Sequence, residues 1–498
     1  RYSFKRDGQG YLSAKKRTRI HLFDIESKKF ELLTTTNFDE AMPAWSPDGT
    51  KIAFVSNHAD DWDRVPGSDI FVVDAKAGSA PRKLTTFAGS DSQPAWSPDG
   101  KWIAYLKGSD HQMGEYTMTQ LAVISADGGV PRIVTASLDR GVSQHEFTAD
   151  GRAIRFLVTD DMSVYMARVP VSGGAVERLT TGQRVLSALD SNGACTASLV
   201  ATDHAPAEVH VIENNVPRKL TAHNDALLKE LQLPLSEEVR FKTKDGNEAH
   251  GLLTKPVGYE AGKKYPMLLR IHGGPNAQDQ HSWQFERQMF AAQGYAVLNI
   301  NYRGSSGRGQ QYTVTIAKDW GNKEVIDLLA GVDHVVASGV ADPDKLGVGG
   351  WSYGGILTDY LIATTTRFKA ATSGAGVAFP LAFYGHDQYI RQYDHEISPP
   401  WRGGIEPWLK ISYPFLHADR IKTPTMFLCG DKDFNVPLLG SEQMYQALKN
   451  VGTETKLIIY PGENHGIAKP SFRRDVIQRY IDWYAKYLKG ATATPSGN

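Results

Sequence analysis

The sequence predicts an all-β propeller followed by a mostly parallel, doubly wound α/β sheet. Three observations lead there. A turn motif recurs at a period of roughly 40–50 residues through the first half. Buried-strand runs alternate with helical patterns through the second half. One serine with glycines two positions either side sits where a strand hands over to a helix. The length of 498 residues agrees, because it exceeds what one hydrophobic core usually supports.

The repeated unit is an aromatic residue, a Ser-Pro-Asp-Gly-like turn, two short strands and a closing Leu-Thr pair. Its clearest copies are Trp45-Ser46-Pro47-Asp48-Gly49 and Trp96-Ser97-Pro98-Asp99-Gly100. Weaker copies end at Asp7-Gly8, Asp150-Gly151 and Asn192-Gly193, and closing pairs fall at Leu33-Thr34, Leu84-Thr85, Val134-Thr135, Leu179-Thr180 and Leu220-Thr221. Proline presets φ and glycine tolerates positive φ, so each motif closes a tight turn between strands. A β-sandwich is the rival architecture, but sandwiches do not repeat a motif at this period. Five repeats are visible, and the first begins almost at Arg1. A propeller is a closed ring, so upstream blades are expected to be absent and the propeller incomplete. Residues 1–222 are assigned to blades, 223–236 to a linker helix and 237–498 to an α/β-hydrolase catalytic domain.

In that second part a hairpin is expected around Asp245-Gly246. Strands are expected at Tyr265 to Ile271, Tyr295 to Tyr302, Lys345 to Gly349, Lys369 to Ser373, Thr425 to Cys429 and Lys456 to Tyr460. Helical patterns cover Lys323 to Ser338, Gly354 to Thr365, Ser441 to Val451 and Arg473 to Leu488. This alternation implies parallel strands wrapped by helices.

Gly350-Trp351-Ser352-Tyr353-Gly354 follows the strand pattern Leu346-Gly347-Val348-Gly349. A nucleophile on a sharp strand-to-helix turn needs small residues two positions away on either side, because the backbone there passes close to itself. The five-residue pattern alone is weak, and its position makes it informative. In this fold the acid and then the histidine follow the serine along the chain. His386, His395, His417 and His465 come after Ser352, and His465 is the one preceded by a strand and a polar loop late enough to leave room for the acid. After the strand ending at Cys429, both Asp431 and Asp433 lie on the right loop, and spacing separates them poorly. An acyl-transfer site also needs donors for an oxyanion. The backbone N–H of Tyr353 is one, and the glycine-rich loop His272-Gly273-Gly274-Pro275 is the expected source of the second.

With these pieces the chain resembles the prolyl oligopeptidase family of serine peptidases. The resemblance rests on the blades, Gly-Trp-Ser-Tyr-Gly-Gly (350–355), His-Gly-Gly-Pro (272–275), Asn-Tyr-Arg-Gly-Ser (301–305) and Asp-Trp-Gly (319–321). It implies a propeller that caps the site and restricts entry to short peptides. It also implies Asp433 as the acid and the amide of Gly274 as second oxyanion donor. His-Gly-Gly-Pro is similar to the acylaminoacyl-peptidase branch. Asp-Phe-Asn-Val (433–436) is similar to dipeptidyl peptidases, where the Asn contacts a substrate carbonyl and the Val lines the first pocket, which points to Asn435 and Val436. That branch holds the substrate amine with a propeller Glu pair, and the adjacent pair here, Glu237-Glu238, lies past the blades. Phe379, Phe383 and Tyr384 are further candidates for lining an apolar substrate pocket, with core packing as the competing role.

Lys+Arg and Asp+Glu both number 55, which removes any global pull toward nucleic acid or membrane, and no run of 18 apolar residues suggests a spanning helix. Cys195 and Cys429 lack metal-binding spacing and read as two buried free thiols. The expected chemistry needs no metal and no cofactor. The expected partner is a short peptide, and a homo-oligomer is compatible with the sequence. The compartment is left open by a chain that begins at Arg1. Two other functions use the same residues: a carboxylesterase acting on small acyl esters, and a propeller binding module on a hydrolase domain that no longer turns over.

Overall fold

The computed structural model describes residues 1–13, 16–65, 67–193 and 195–490. The tail 491–498, assigned above to the catalytic domain, lies outside the described residues. Four four-stranded blades occupy 40–83, 89–133, 142–178 and 185–219. A parallel pairing of Val164 with Val185 joins the last two into one sheet. The turns close as their sequence dictates. Ser46 Oγ donates to Asp48 at 2.6 Å, Ser97 to Asp99 at 2.6 Å and Thr148 to Asp150 at 2.6 Å. The closing pairs divide their labour. Leu84, Val134 and Leu179 are buried, while the adjacent threonine hydroxyls accept the amides of Ile70, Leu121 and Met166 at 2.9–3.0 Å. Trp96 ties one blade to the previous one by donating Nε1–H to the Ala44 carbonyl.

The first repeat behaves differently from the other four. Among the described residues its outer strands, His21–Phe23 and Phe30–Leu32, form a two-stranded sheet of their own. Its motif strands, β1 (Lys5–Arg6) and β2 (Gly10–Tyr11), form a separate hairpin that reaches the second domain. So five motifs give four complete blades among the described residues.

A short helix, α1 (Asp225–Glu230), leads into an eight-stranded sheet. Its strands are β3 (Ser236–Lys242), β4 (Glu248–Thr254), β5 (Tyr265–Ile271), β6 (Ala296–Asn301), β7 (Ala341–Trp351), β8 (Ala370–Gly374), β9 (Thr425–Gly430) and β10 (Thr455–Tyr460). Their spatial order is β3-β4-β6-β5-β7-β8-β9-β10. The β3–β4 hairpin and the β4–β6 pair are antiparallel, and every later pair is parallel. β6, β8 and β9 are buried at every position, as strands covered on both faces must be. The flanking helices include α2 (Phe285–Ala292), α3 (Lys323–Ala337), α4 (Tyr353–Thr364), α5 (Leu439–Val451) and α6 (Pro470–Leu488). α2, and the short helices between 380 and 420, have no counterpart in the sequence reading. The chain leaves β5 toward β6 on one side and returns to β7 on the other. That reversal opens a crevice at the carboxyl ends of β5 and β7, where ligands bind in open α/β sheets.

Two polar clusters join the domains. His281 sits between Asp203 of the propeller, at 2.6 Å, and Glu238, at 3.1 Å. Burial opposes its charge, but the two carboxylates outweigh that and raise its pKa. Arg287 completes the cluster on Asp203 at 3.1 Å. At the second seam, Asp161 meets Arg240 at 2.6 Å and the buried His250 at 3.2 Å.

Candidate active site

Ser352 lies at the tip of the turn from β7 into α4 with φ 62° and ψ −124°. Positive φ is costly for a residue with a Cβ, so the surrounding structure must hold it. The two flanking glycines show how tightly. A Cβ at Gly350 would lie 2.5 Å from the Ile271 carbonyl oxygen, and one at Gly354 would lie 2.1 Å from the same atom. Only residues without side chains let β5 and the turn approach this closely.

The loop after β5 stands beside the turn. Its His272 ring stacks on Tyr302 at 4.5 Å, and its two nitrogens bond to the Gly273 carbonyl and Ser305 Oγ. The Tyr302 hydroxyl donates to the His272 carbonyl at 2.9 Å, so the glycines that follow are held from behind. Tyr353 is the first residue of α4, where backbone N–H groups lack helical acceptors. Its phenol donates to the buried Glu324 at 2.7 Å. Burial lifts the Glu324 carboxyl to about 7.

Between Asp431 and Asp433, which spacing left unresolved, the geometry is unequal. Asp433 is 3% exposed, and its Oδ2 lies 2.7 Å from Nδ1 of His465. Its other oxygen accepts the amides of Asn435 at 2.8 Å and Val436 at 2.7 Å, which fixes the carboxylate plane. Burial raises the Asp433 carboxyl above its ordinary value, and the bond to His465 opposes that rise. Asp431 points outward and caps the Gly462 amide at 2.6 Å. Among the described residues no hydrogen bond joins the Ser352 hydroxyl to His465, although Trp351 donates Nε1–H to the His465 carbonyl at 2.9 Å.

Ser352, Tyr353 and Gly274 line one cavity of about 50 Å³. Its apolar wall includes Ile356, Val377, Phe383 and Val436, and its aromatic wall includes Tyr389 and Tyr393. Asn435 also lines it and accepts the Tyr389 hydroxyl at 2.6 Å. Phe379 and Tyr384 lie elsewhere. The 3₁₀ turn Pro380–Phe383 aims Phe383 inward, leaves Phe379 stacked on Phe415 and sends Tyr384 against Trp401 and Trp408. The Glu237-Glu238 pair is also away from the cavity, on β3, with Glu238 committed to His281, Gln183 and Arg240. A different propeller carboxylate reaches the edge of the cavity: Glu115, near Tyr389 and open to solvent on its other side. Desolvation and the nearby Glu396 raise its pKa. No repeat signal marks Glu115, because it sits in an insertion between two strands of its blade. Of the thiols, Cys429 is buried as expected, but Cys195 is exposed because its strand position faces outward.

Comparison with known proteins covers both halves. Residues 281–491 match the prolyl oligopeptidase family, and residues 2–195 match the TolB beta propeller domain. An uncharacterized peptidase of Bacillus subtilis is 29% identical over 98% of this chain and 77% of its own length. A dipeptidyl-peptidase 5 of Porphyromonas gingivalis is 25% identical over 90% of this chain and 66% of its own length. Among solved structures, an acylaminoacyl peptidase in complex with a Z-Gly-Gly-Phe-chloromethyl ketone superposes with a TM-score of 0.85 at 22% identity. That superposition covers 99% of this chain and 77% of the other, and it shows a shared fold. No helix among the described residues is long and apolar enough to cross a membrane. The two family matches follow one another in the order in which the propeller and the sheet are built, and the chain is a serine peptidase whose residues 281–491 match the prolyl oligopeptidase family.

Proposed function

We propose that this peptidase cleaves short peptides through an acyl-enzyme formed on Ser352. The observation that carries the reading is the 2.7 Å bond between Asp433 and His465 on loops that converge with the strained Ser352 turn. His465 Nε2 takes the Ser352 proton as the hydroxyl oxygen attacks the scissile carbonyl. Asp433 holds Nδ1–H, which fixes the tautomer and stabilises the imidazolium. The amides of Tyr353 and Gly274 receive the developing oxyanion. His465 then protonates the leaving amine, and water attacks the acyl-enzyme by the same route in reverse. The serine–imidazole bond closes as substrate enters, as such bonds commonly do.

The apolar and aromatic wall selects an uncharged, apolar residue on the acyl side of the scissile bond. In this reading Asn435 donates to a substrate carbonyl and Val436 lines the first pocket. A second reading, recognition of a free amino terminus, is favoured by Glu115 alone, because a carboxylate in an apolar cavity is a natural partner for an ammonium group. The test is a peptide panel with free and blocked N-termini, run on wild type and Ser352→Ala. Turnover and fluorophosphonate labelling should both vanish in Ser352→Ala. Labelling that survives the substitution would sink the assignment, and faster cleavage of short-chain esters than of any peptide would move the enzyme to the esterases.

A further inference from the structure

The β1–β2 hairpin carries an aspartate at the position where the other repeats carry Asp48, Asp99 and Asp150. Those three serve their own turns: each accepts from the hydroxyl two residues earlier and from a backbone amide just after. Asp7 has Lys5 in place of that hydroxyl, so its turn gives its carboxylate no such donor. It turns instead to the other domain. Oδ1 accepts the amide of Phe434 at 3.1 Å, and both oxygens lie 3.2 Å from the amide of His465. Phe434 immediately follows Asp433, so one carboxylate bridges the acid loop and the histidine loop.

The hairpin is built to deliver it. The Lys5 ammonium, itself buried, donates to the His386 carbonyl at 3.1 Å. The Asp7 amide donates to Gln388 Oε1 at 2.9 Å, and the Tyr11 ring packs edge-on against Phe434 at 5.6 Å. Gly8 turns the chain back at φ 71°. Charge-assisted bonds to two main-chain amides hold the loop backbones, whatever their side chains do.

We infer that Asp7 is a positioning residue of the reaction: it clamps the His465 loop to the Asp433 loop and so holds the imidazole in register with Ser352. The inference rests on the proposed triad, and it makes turnover depend on a propeller hairpin some 430 residues upstream in sequence. The negative charge of Asp7 also contributes to the raised pKa of Asp433.

The test compares full-length wild type, Asp7→Ala and Asp7→Asn, using kcat and KM on a peptide p-nitroanilide, Tm, and amide hydrogen exchange of the segment holding His465. In Asp7→Ala, kcat should fall ~10-fold with KM within ~2-fold, about what loss of such bonds implies. Exchange at 463–467 should quicken. Asp7→Asn keeps an acceptor oxygen and should recover kcat to within ~3-fold of wild type. Faster exchange with unchanged kcat would overturn the role in turnover. A rise in KM alone would make Asp7 a substrate contact. Equal losses in both variants that track Tm would reduce it to a folding residue. If Ser352→Ala kept its activity the triad reading would fall, while the exchange measurement would still report on the clamp itself.

Discussion

Trp351 donates its indole N–H to the backbone carbonyl of His465 at 2.9 Å, so the residue before the nucleophile holds the loop that carries the imidazole. The ring also packs where a Cβ on Gly374 would touch it, which fixes the indole plane. With Asp7 on the amide side of the same residue, the peptide groups flanking His465 are gripped from two directions. Trp351→Phe keeps most of the packing and removes the donor. A neutral hydrogen bond is worth ~1 kcal/mol net, so kcat/KM should fall roughly 5- to 10-fold with little change in Tm. Steady-state kinetics beside a thermal melt would check this, and an unaltered kcat/KM would show that the contact is idle.

Gly354 should tolerate no side chain. Its virtual Cβ collides with backbone, the Ile271 carbonyl, and backbone cannot swing aside as a flexible side-chain end could. Gly354→Ala must therefore push β5 and the turn apart, in one of the best-buried parts of the sheet. Overpacking of this kind costs ~1–3 kcal/mol or more. The expected result is a Tm lower by several degrees and loss of fluorophosphonate labelling at Ser352. A variant that labels at the wild-type rate would mean that β5 and the turn can move apart without disturbing the nucleophile.

Asp359, on α4 behind the nucleophile, is fully buried, and desolvation lifts its carboxyl to about 8. Its folded pKa lies above its unfolded value near 3.8, so its stabilising contribution is complete below about pH 4 and is lost as pH rises toward 8. Asp359→Asn stays neutral throughout and removes that slope. Relative to wild type, its Tm should climb from pH 5 to pH 8.5. In a domain of this size ~1 kcal/mol moves Tm by roughly 2–4 °C, so the difference should be readily measured by scanning calorimetry at several pH values. A constant difference across the range would show that the carboxylate is ionised in place.

The elements most legible in the sequence are those whose cause is local. The Ser-Pro-Asp-Gly turns, the Leu-Thr pairs and the glycines around Ser352 each answer a steric or hydrogen-bonding need within a few residues, so their spacing sufficed. Asp433 and Asp431 differ by two positions and were inseparable by spacing, because the difference is burial: one carboxylate faces His465 and the other faces Gly462. Phe379 and Tyr384 illustrate the same limit, since a single 3₁₀ turn decides which of three neighbouring aromatics meets the cavity. Asp7 and Glu115 were illegible for a different reason. Each acts across the domain seam, on partners hundreds of residues away, and nothing in its own neighbourhood encodes that meeting.

Glu115 offers the sharpest separation of the remaining readings. It reaches the Ser352 cavity from the propeller, touching the wall formed by Tyr389, and desolvation already strains its charge. An ammonium group brought in by a peptide's own amino terminus would relieve that strain, whereas an acylated terminus would leave the carboxylate unpaired. Glu115→Gln keeps the shape and removes the charge. If a free terminus is what the cavity recognises, kcat/KM for peptides with a free amine should fall about 10- to 100-fold while blocked peptides are cut as before. If blocked peptides are the preferred class, the same substitution should leave their cleavage unchanged or improve it, because a charge with no partner on a blocked substrate has been removed. Equal effects on both classes would show that Glu115 does not read the terminus at all.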